Sequence, residues 1–130
     1  MTSTPVTVAP DPMTVAFSAL QPLGVPVVNQ VPNPRPTSFL RVRLVGGYRP
    51  VPTQHARTLQ VEAWHVANAN AARLAEEALA AMYATQGTVV DGVGVYRVDL
   101  FAAPHELPDD LTGTPRFRFT VQMFLRALPD

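Results

Sequence analysis

The chain has 130 residues, 47% of them hydrophobic and 15% charged, which fits one globular domain with a core of ordinary size. Ten basic residues balance ten acidic ones, and this zero net charge argues against a free-standing nucleic-acid binder. Without a cysteine, disulfides, thiolate catalysis and cysteine metal sites are excluded.

All ten basic residues are arginine, which, with the abundant alanine, valine and proline, reads as the codon usage of a GC-rich genome. Arginine is also the better interface cation. The N-terminus lacks a basic stretch followed by an apolar run, so no signal peptide is expected. No run approaches the ~18 apolar residues of a membrane span. These features predict a protein made in the cytosol that works there or in a particle assembled there.

Residues 1–10 read as an extended N-terminal arm, and residues 11–130 as a single domain. Asp11-Pro12 is a helix start, a cap followed by proline at the first helical position. The helix runs from Pro12 to about Gln21, with Val15, Ala16, Ala19 and Leu20 as its apolar stripe and Pro22 and Gly24 ending it. Residues 25–31 form an edge strand, since Pro26 lacks a donor. Three alternating prolines over residues 32–36 force an extended connection. Phe39 to Val45 is a strand, Gly46-Gly47 breaks it, and residues 46–57 form a long hairpin loop. Leu59 to Val66 is the next strand. Asn68 or Asn70 caps a helix over about Ala71 to Thr85, with Ala71, Leu74, Ala75, Ala78 and Met82 on one face. Val93 to Phe101 is a strand, residues 102–115 a second long loop, and Arg116 to Leu125 the last strand. The order α-β-β-β-α-β-β predicts an α+β fold, a mostly antiparallel sheet with two helices packed on one face.

The strands share a pattern. Arg41 and Arg43 alternate with Leu40, Val42 and Leu44; Gln60 and Glu62 with Leu59, Val61 and Ala63; Arg97 and Asp99 with Tyr96, Val98 and Leu100; Arg116 and Arg118 with Phe117, Phe119, Val121 and Met123. Strand side chains point to opposite faces with period two, so one face is apolar and the other charged. The same alternation buries Phe117 and Phe119, which argues against base stacking on the arginine side. Trp64 falls in phase with Gln60 and Glu62, either as an exposed interface anchor or as a cover for the sheet end under the 46–57 loop.

No catalytic or cofactor site is expected. Gly92-x-Gly94 leads into a strand and lacks a third glycine, so it reads as a turn rather than a dinucleotide loop. His55 and His105 in the loops, and His65 at a strand end, have no metal-ligand spacing. Ser3, Ser18 and Ser38 lie in no nucleophile-elbow sequence. Asp109-Asp110 reads as a turn or cap rather than an acid–base pair.

The succession of blocks resembles the tail terminator proteins of long-tailed bacteriophages of high-GC hosts, over about residues 5–127. The blocks are Asp11-Pro12 opening the first helix, VPNPRP at 31–36, FLRVRLVGGYRP at 39–50, VEAWHVAN at 61–68, the Ala-rich helix to Met82, GVGVYRVDLFAAPHELPDD at 92–110 and TPRFRFTVQMFLRA at 114–127. The resemblance implies a small α+β fold and a ring, usually six-fold, on the head-proximal end of the tail tube. It also implies that the ring stops tube growth, receives the head-completion (stopper) protein, and lets genomic DNA pass through its lumen without specific binding. The expected partners are therefore further copies of the chain, tail tube protein and stopper protein, with no membrane and no cofactor; the expected place is the virion, assembled in the host cytoplasm.

Arg41, Arg43, Arg49, Arg57, Trp64, Arg97, Asp99, Arg116 and Arg118 are the candidate protein-interface residues. The alternatives are a head–tail stopper or adaptor ring and, from another class, a small enzyme or ligand-binding α+β domain, which would need a pocket of convergent polar groups.

Overall fold

The computed structural model describes residues 7–129, and its architecture is α+β. In chain order the elements are β1 (Thr7–Val8), α1 (Pro12–Leu20), a 3₁₀ turn (Gln21–Leu23), β2 (Val27–Val28), β3 (Ser38–Val51), β4 (Gln54–His65), α2 (Asn68–Ala84), β5 (Thr88–Val90), β6 (Val93–Glu106), β7 (Arg116–Arg126) and β8 (Leu128–Pro129). Six strands form one curled sheet in the order β2-β3-β4-β7-β6-β5, while β1 pairs with β8. All neighbours in the large sheet are antiparallel except β2, which runs parallel to β3 at the edge. Of the N-terminal arm, residues 1–6 lie outside the described residues, and Thr7–Val8 is antiparallel to Leu128–Pro129.

Both helices pack on the same face. α1 starts where Asp11 caps it: one carboxylate oxygen accepts from the Met13 N–H at 2.9 Å, the other from the Thr14 hydroxyl at 3.0 Å. Gly24, at φ 77°, closes the following 3₁₀ turn in the left-handed region. α2 buries Ala71, Leu74, Ala75, Ala78, Leu79 and Met82 at helical spacing. Its N-cap is Ala67, not Asn68 or Asn70. Asn68 is the first helical residue, and its side-chain amide donates to Glu106 instead. Beneath the helices lie Leu40, Val42, Leu59, Val61, Phe119, Val121 and Met123, the apolar phase of the alternation.

The expected long hairpin loop over residues 46–57 is a hairpin of paired strands with a short turn. β3 continues to Val51, β4 starts at Gln54, and the turn is Pro52-Thr53. A register shift between Leu44 and Gly46 absorbs the glycine pair as a bulge rather than a break. Gly47 is required here, since a Cβ at this position would collide with the Ala56 carbonyl oxygen. The expected loop over residues 102–115 is also shorter: β6 runs on to Glu106, with register shifts around Ala102. β5 was not anticipated. It joins β6 through Asp91 (φ 48°) and Gly92 (φ 78°), the two positive-φ residues of a primed hairpin turn, which is the chemistry behind the Gly92-x-Gly94 turn reading.

Candidate functional site

The sheet face opposite the helices is the charged one, and its organising residue is Glu62. Alternation on β4 points Glu62 away from the helices, yet its side chain is 0% exposed. Arg118, its cross-strand partner on β7, donates from Nε at 3.2 Å and from Nη2 at 2.9 Å to one carboxylate oxygen. Arg116 Nη1 approaches the same oxygen at 3.9 Å. Arg41, the partner on β3, brings Nη1 to 3.6 Å from the other oxygen, which also accepts from the Trp64 indole N–H at 3.3 Å. Three guanidiniums therefore share one carboxylate, leaving a local charge of about +2 on a surface no helix covers. Arg116 and Arg41 are also fixed by backbone carbonyls. Arg116 Nε donates to the Leu107 carbonyl at 2.7 Å, and Arg41 Nε to the Asn29 carbonyl at 3.3 Å.

Trp64 is buried, not exposed. Its ring stacks on Phe39 with centroids 5.1 Å apart, and the Arg35 and Arg116 guanidiniums lie over it at 5.3 and 5.1 Å. Of the two expectations, covering the sheet end is the one realised, but the ring lies under Arg35 and Arg116 and against Phe39, not under the 46–57 hairpin. Arg35 ties that segment to the 107–115 loop, donating to the Thr112 and Thr114 hydroxyls at 2.9 and 3.2 Å and facing Asp109 at 3.7 Å. Asp109 accepts from the Thr112 hydroxyl and N–H, the turn role expected of it. The Thr112 hydroxyl, foremost, together with Arg35, holds its carboxyl below the usual carboxylate range.

The structure thus gathers Arg41, Arg116, Arg118 and Trp64 around one carboxylate. Arg43 follows on the same face, exposed, one row further along. Arg97 and Asp99 pair with each other at 3.0 Å near the far end, where the Arg97 guanidinium also sits 4.1 Å above the Phe124 ring. Arg49 and Arg57 do not join them. Arg49 donates to the Pro52 carbonyl within the hairpin turn. Arg57 lies on β4 in phase with Leu59, on the helix side of the sheet. Glu62, Phe39 and Arg35 were not anticipated as parts of the site. The signal for Glu62 was present: it is the acid flanked by Arg41 and Arg118 once the strands are set in register.

His55 and His105 are strand residues, not loop residues. His55 shares the helix-side phase of Arg57, and its Nε2 and the Arg57 Nε are buried without a hydrogen-bond partner. Burial, then the charges of Arg49 and Arg57, push the His55 pKa below its ordinary 6.5. The unfolded chain therefore binds a proton in this window that the folded chain does not. Stability should be full above about pH 6.5 and fall as acid drives the solution down through the lowered value. His55→Gln should remove this part of the decline. Urea midpoints of both proteins at about pH 7.5 and about pH 5.5 measure it, and equal drops in the two would refute the assignment.

Among the described residues, hollows border the helices, two of which are well defined. One, of about 390 Å³, lies between α1 and the segment 25–27, lined by Thr14, Phe17, Ser18 and Gln21 among others. The other, of about 220 Å³, is lined by His65, Asn70, Arg73 and Glu77 among others. Neither opens on the arginine face. Comparison with protein-family models and with curated proteins finds no match. Among the described residues, no helix is long and apolar enough to cross a membrane.

Proposed function

We propose that this chain is a structural virion protein, a tail terminator whose copies form a ring on the head-proximal end of a phage tail tube. The reading draws on the resemblance of the sequence blocks. The observation that carries it is the prepared surface around Glu62. Arginines immobilised by a buried carboxylate, a tryptophan and backbone carbonyls present fixed guanidiniums over a broad sheet face. Arginine and aromatic groups held rigidly in this way are what protein interfaces favour, because little conformational entropy remains to be lost on docking. Fixed charges also set register and partner choice between subunits. The ring caps the tube, ends its polymerisation and offers its other side to the stopper protein, while genomic DNA traverses the lumen.

The test is to polymerise the cognate tail tube protein with and without this chain and to inspect the tubes by electron microscopy. Capped tubes of limited length are expected. Uncapped tubes, with the protein bound instead to filled heads, would assign it to the stopper class. A surface variant sharpens the result. Reversal of Arg41 or Arg116 looks from the sequence like a harmless surface change, but both side chains are half-buried against Glu62, so reversal also disturbs folding. Arg43 is exposed. Arg43→Glu should shift stability by no more than ~0.5 kcal/mol yet reduce ring formation and capping. Wild-type capping by this variant would remove the arginine face from the assembly contact.

A further inference from the structure

Both edges of the sheet are open over the same height. β2 covers β3 only at Leu40–Arg41, and β5 covers β6 only at Val93–Val95. Beyond these, no described strand pairs with the outer edge of β3 from Val42 onward or with the outer edge of β6 from Tyr96 onward. Such edges are unpaired hydrogen-bonding templates. Most of the large apolar side chains left exposed among the described residues lie on these two strands, including Leu44, Val45 and Tyr48 on β3 and Tyr96, Leu100 and Phe101 on β6.

The cross-strand rows show what such edges fit. One row on the helix side runs Leu44–Leu59–Val121–Leu100. Its two inner members are 0% exposed, while its ends are 41% and 38% exposed. On the other face the row Tyr48–Ala56–Phe124–Arg97 likewise ends on two exposed side chains, Tyr48 and Arg97. Each row is apolar or cation–π in character up to the edge and stops there. Going from β3 to β4 to β7 to β6 reverses direction three times, so β3 and β6 are antiparallel to each other. A second copy placed alongside by rotation about the strand direction therefore sets its β6 antiparallel to the first copy's β3, at matched height. The charges agree: β3 carries three arginines and no acid, whereas β6 carries Arg97 against Asp99 and Glu106.

We infer that copies of this chain join edge to edge, β3 of one subunit against β6 of the next, with Leu44 beside the partner's Leu100 and Tyr48 beside the partner's Arg97. This is a heterologous contact, with different patches meeting, the kind that closes into rings when the rotation permits. Register shifts flank Arg97–Leu100 on β6, while on β3 one shift lies between Leu44 and Gly46, within the paired stretch, and another follows Tyr48; these confine the pairing to about Leu44–Tyr48 against Arg97–Leu100 and keep the edges from pairing indiscriminately. The inference rests on the ring proposed above and names the surface that builds it.

Because the chain has no cysteine, disulfide trapping is free of background. Facing Cβ atoms of adjacent antiparallel strands are ~5 Å apart, close enough for a disulfide with slight adjustment. Leu44→Cys and Leu100→Cys proteins, each shown by circular dichroism to be folded, are mixed under mild oxidation. Covalent dimers are expected in the mixture and in neither protein alone. The double variant should give a ladder ending at a closed ring. Rings visible by electron microscopy without a 44–100 cross-link would overturn the edge assignment and leave the ring reading standing. Dimers of Leu44→Cys alone would mean a two-fold edge contact and overturn it as well. Monomers without cross-links, both free and with tail tube protein, would end both readings.

Discussion

Glu62→Ala is expected to lower the unfolding free energy by about 3–5 kcal/mol, the cost of removing one partner from a buried ionic network. The variant leaves Arg41, Arg116 and Arg118 facing one another with no counter-charge, and the Trp64 indole N–H without its acceptor. Most of the loss comes from these stranded groups, since exchanging the whole network for apolar side chains of similar volume can be neutral. The double variant Glu62→Met with Arg118→Met should therefore recover a large part of the stability lost in Glu62→Ala. Raising the salt concentration should narrow the gap between Glu62→Ala and wild type, as counter-ions screen the remaining cations. Urea unfolding at two ionic strengths measures all three effects. A Glu62→Ala midpoint equal to wild type would mean that the arginines are already compensated by solvent and that Glu62 does not hold them.

This result bears on assembly as well as on stability. If Glu62 fixes the guanidiniums, its loss leaves the arginines present but mobile, and ring formation should weaken even at temperatures where Glu62→Ala remains folded. Arg43→Glu changes the same face without touching Glu62. Comparing the two separates the arrangement of the charges from their sign.

Period-two alternation in four strands was enough to place the helices on one face and the arginines on the other, because burial on one side of a sheet fixes the phase of every residue in it. Arg41, Arg116 and Arg118 were legible as one surface for this reason. Trp64 was legible only in its phase. Its burial depends on Arg35 and Phe39, which reach it across the sheet and from the 29–37 segment, and such contacts leave no local pattern. Arg49, His55 and Arg57 read from the sequence as loop residues because Gly46-Gly47, Pro50 and Pro52 are breaker residues. The partner strand overrode that signal. β4 pairs with β7 without a register shift from Gln54 to Trp64 and so carries β3 along with it past a bulge. A strand that continues on β4 with Leu59 facing the core necessarily sends Arg57 and His55 to the helix side.

Phe119→Ala should be as costly as the loss of Glu62, about 3–5 kcal/mol, for a different reason. Phe119 sits on β7, a central strand, directly opposite Val61, and is 0% exposed in the core under the helices. Removing its ring sacrifices the transfer free energy of the lost atoms and leaves a cavity that the neighbouring strands, pinned by their ladders, cannot close. Its neighbours Arg118 and Thr120 point the other way, so the arginine surface is untouched. Phe119→Ala should lower the melting temperature and the urea midpoint, while the fraction that remains folded at low temperature still forms rings. Salt should not rescue it, in contrast to Glu62→Ala, because no charge is stranded. An unchanged melt would place Phe119 outside the core and reverse the assignment of the two faces; a folded variant unable to assemble would mean that assembly depends on the core packing beneath the helices as well as on the sheet edges and the arginine face.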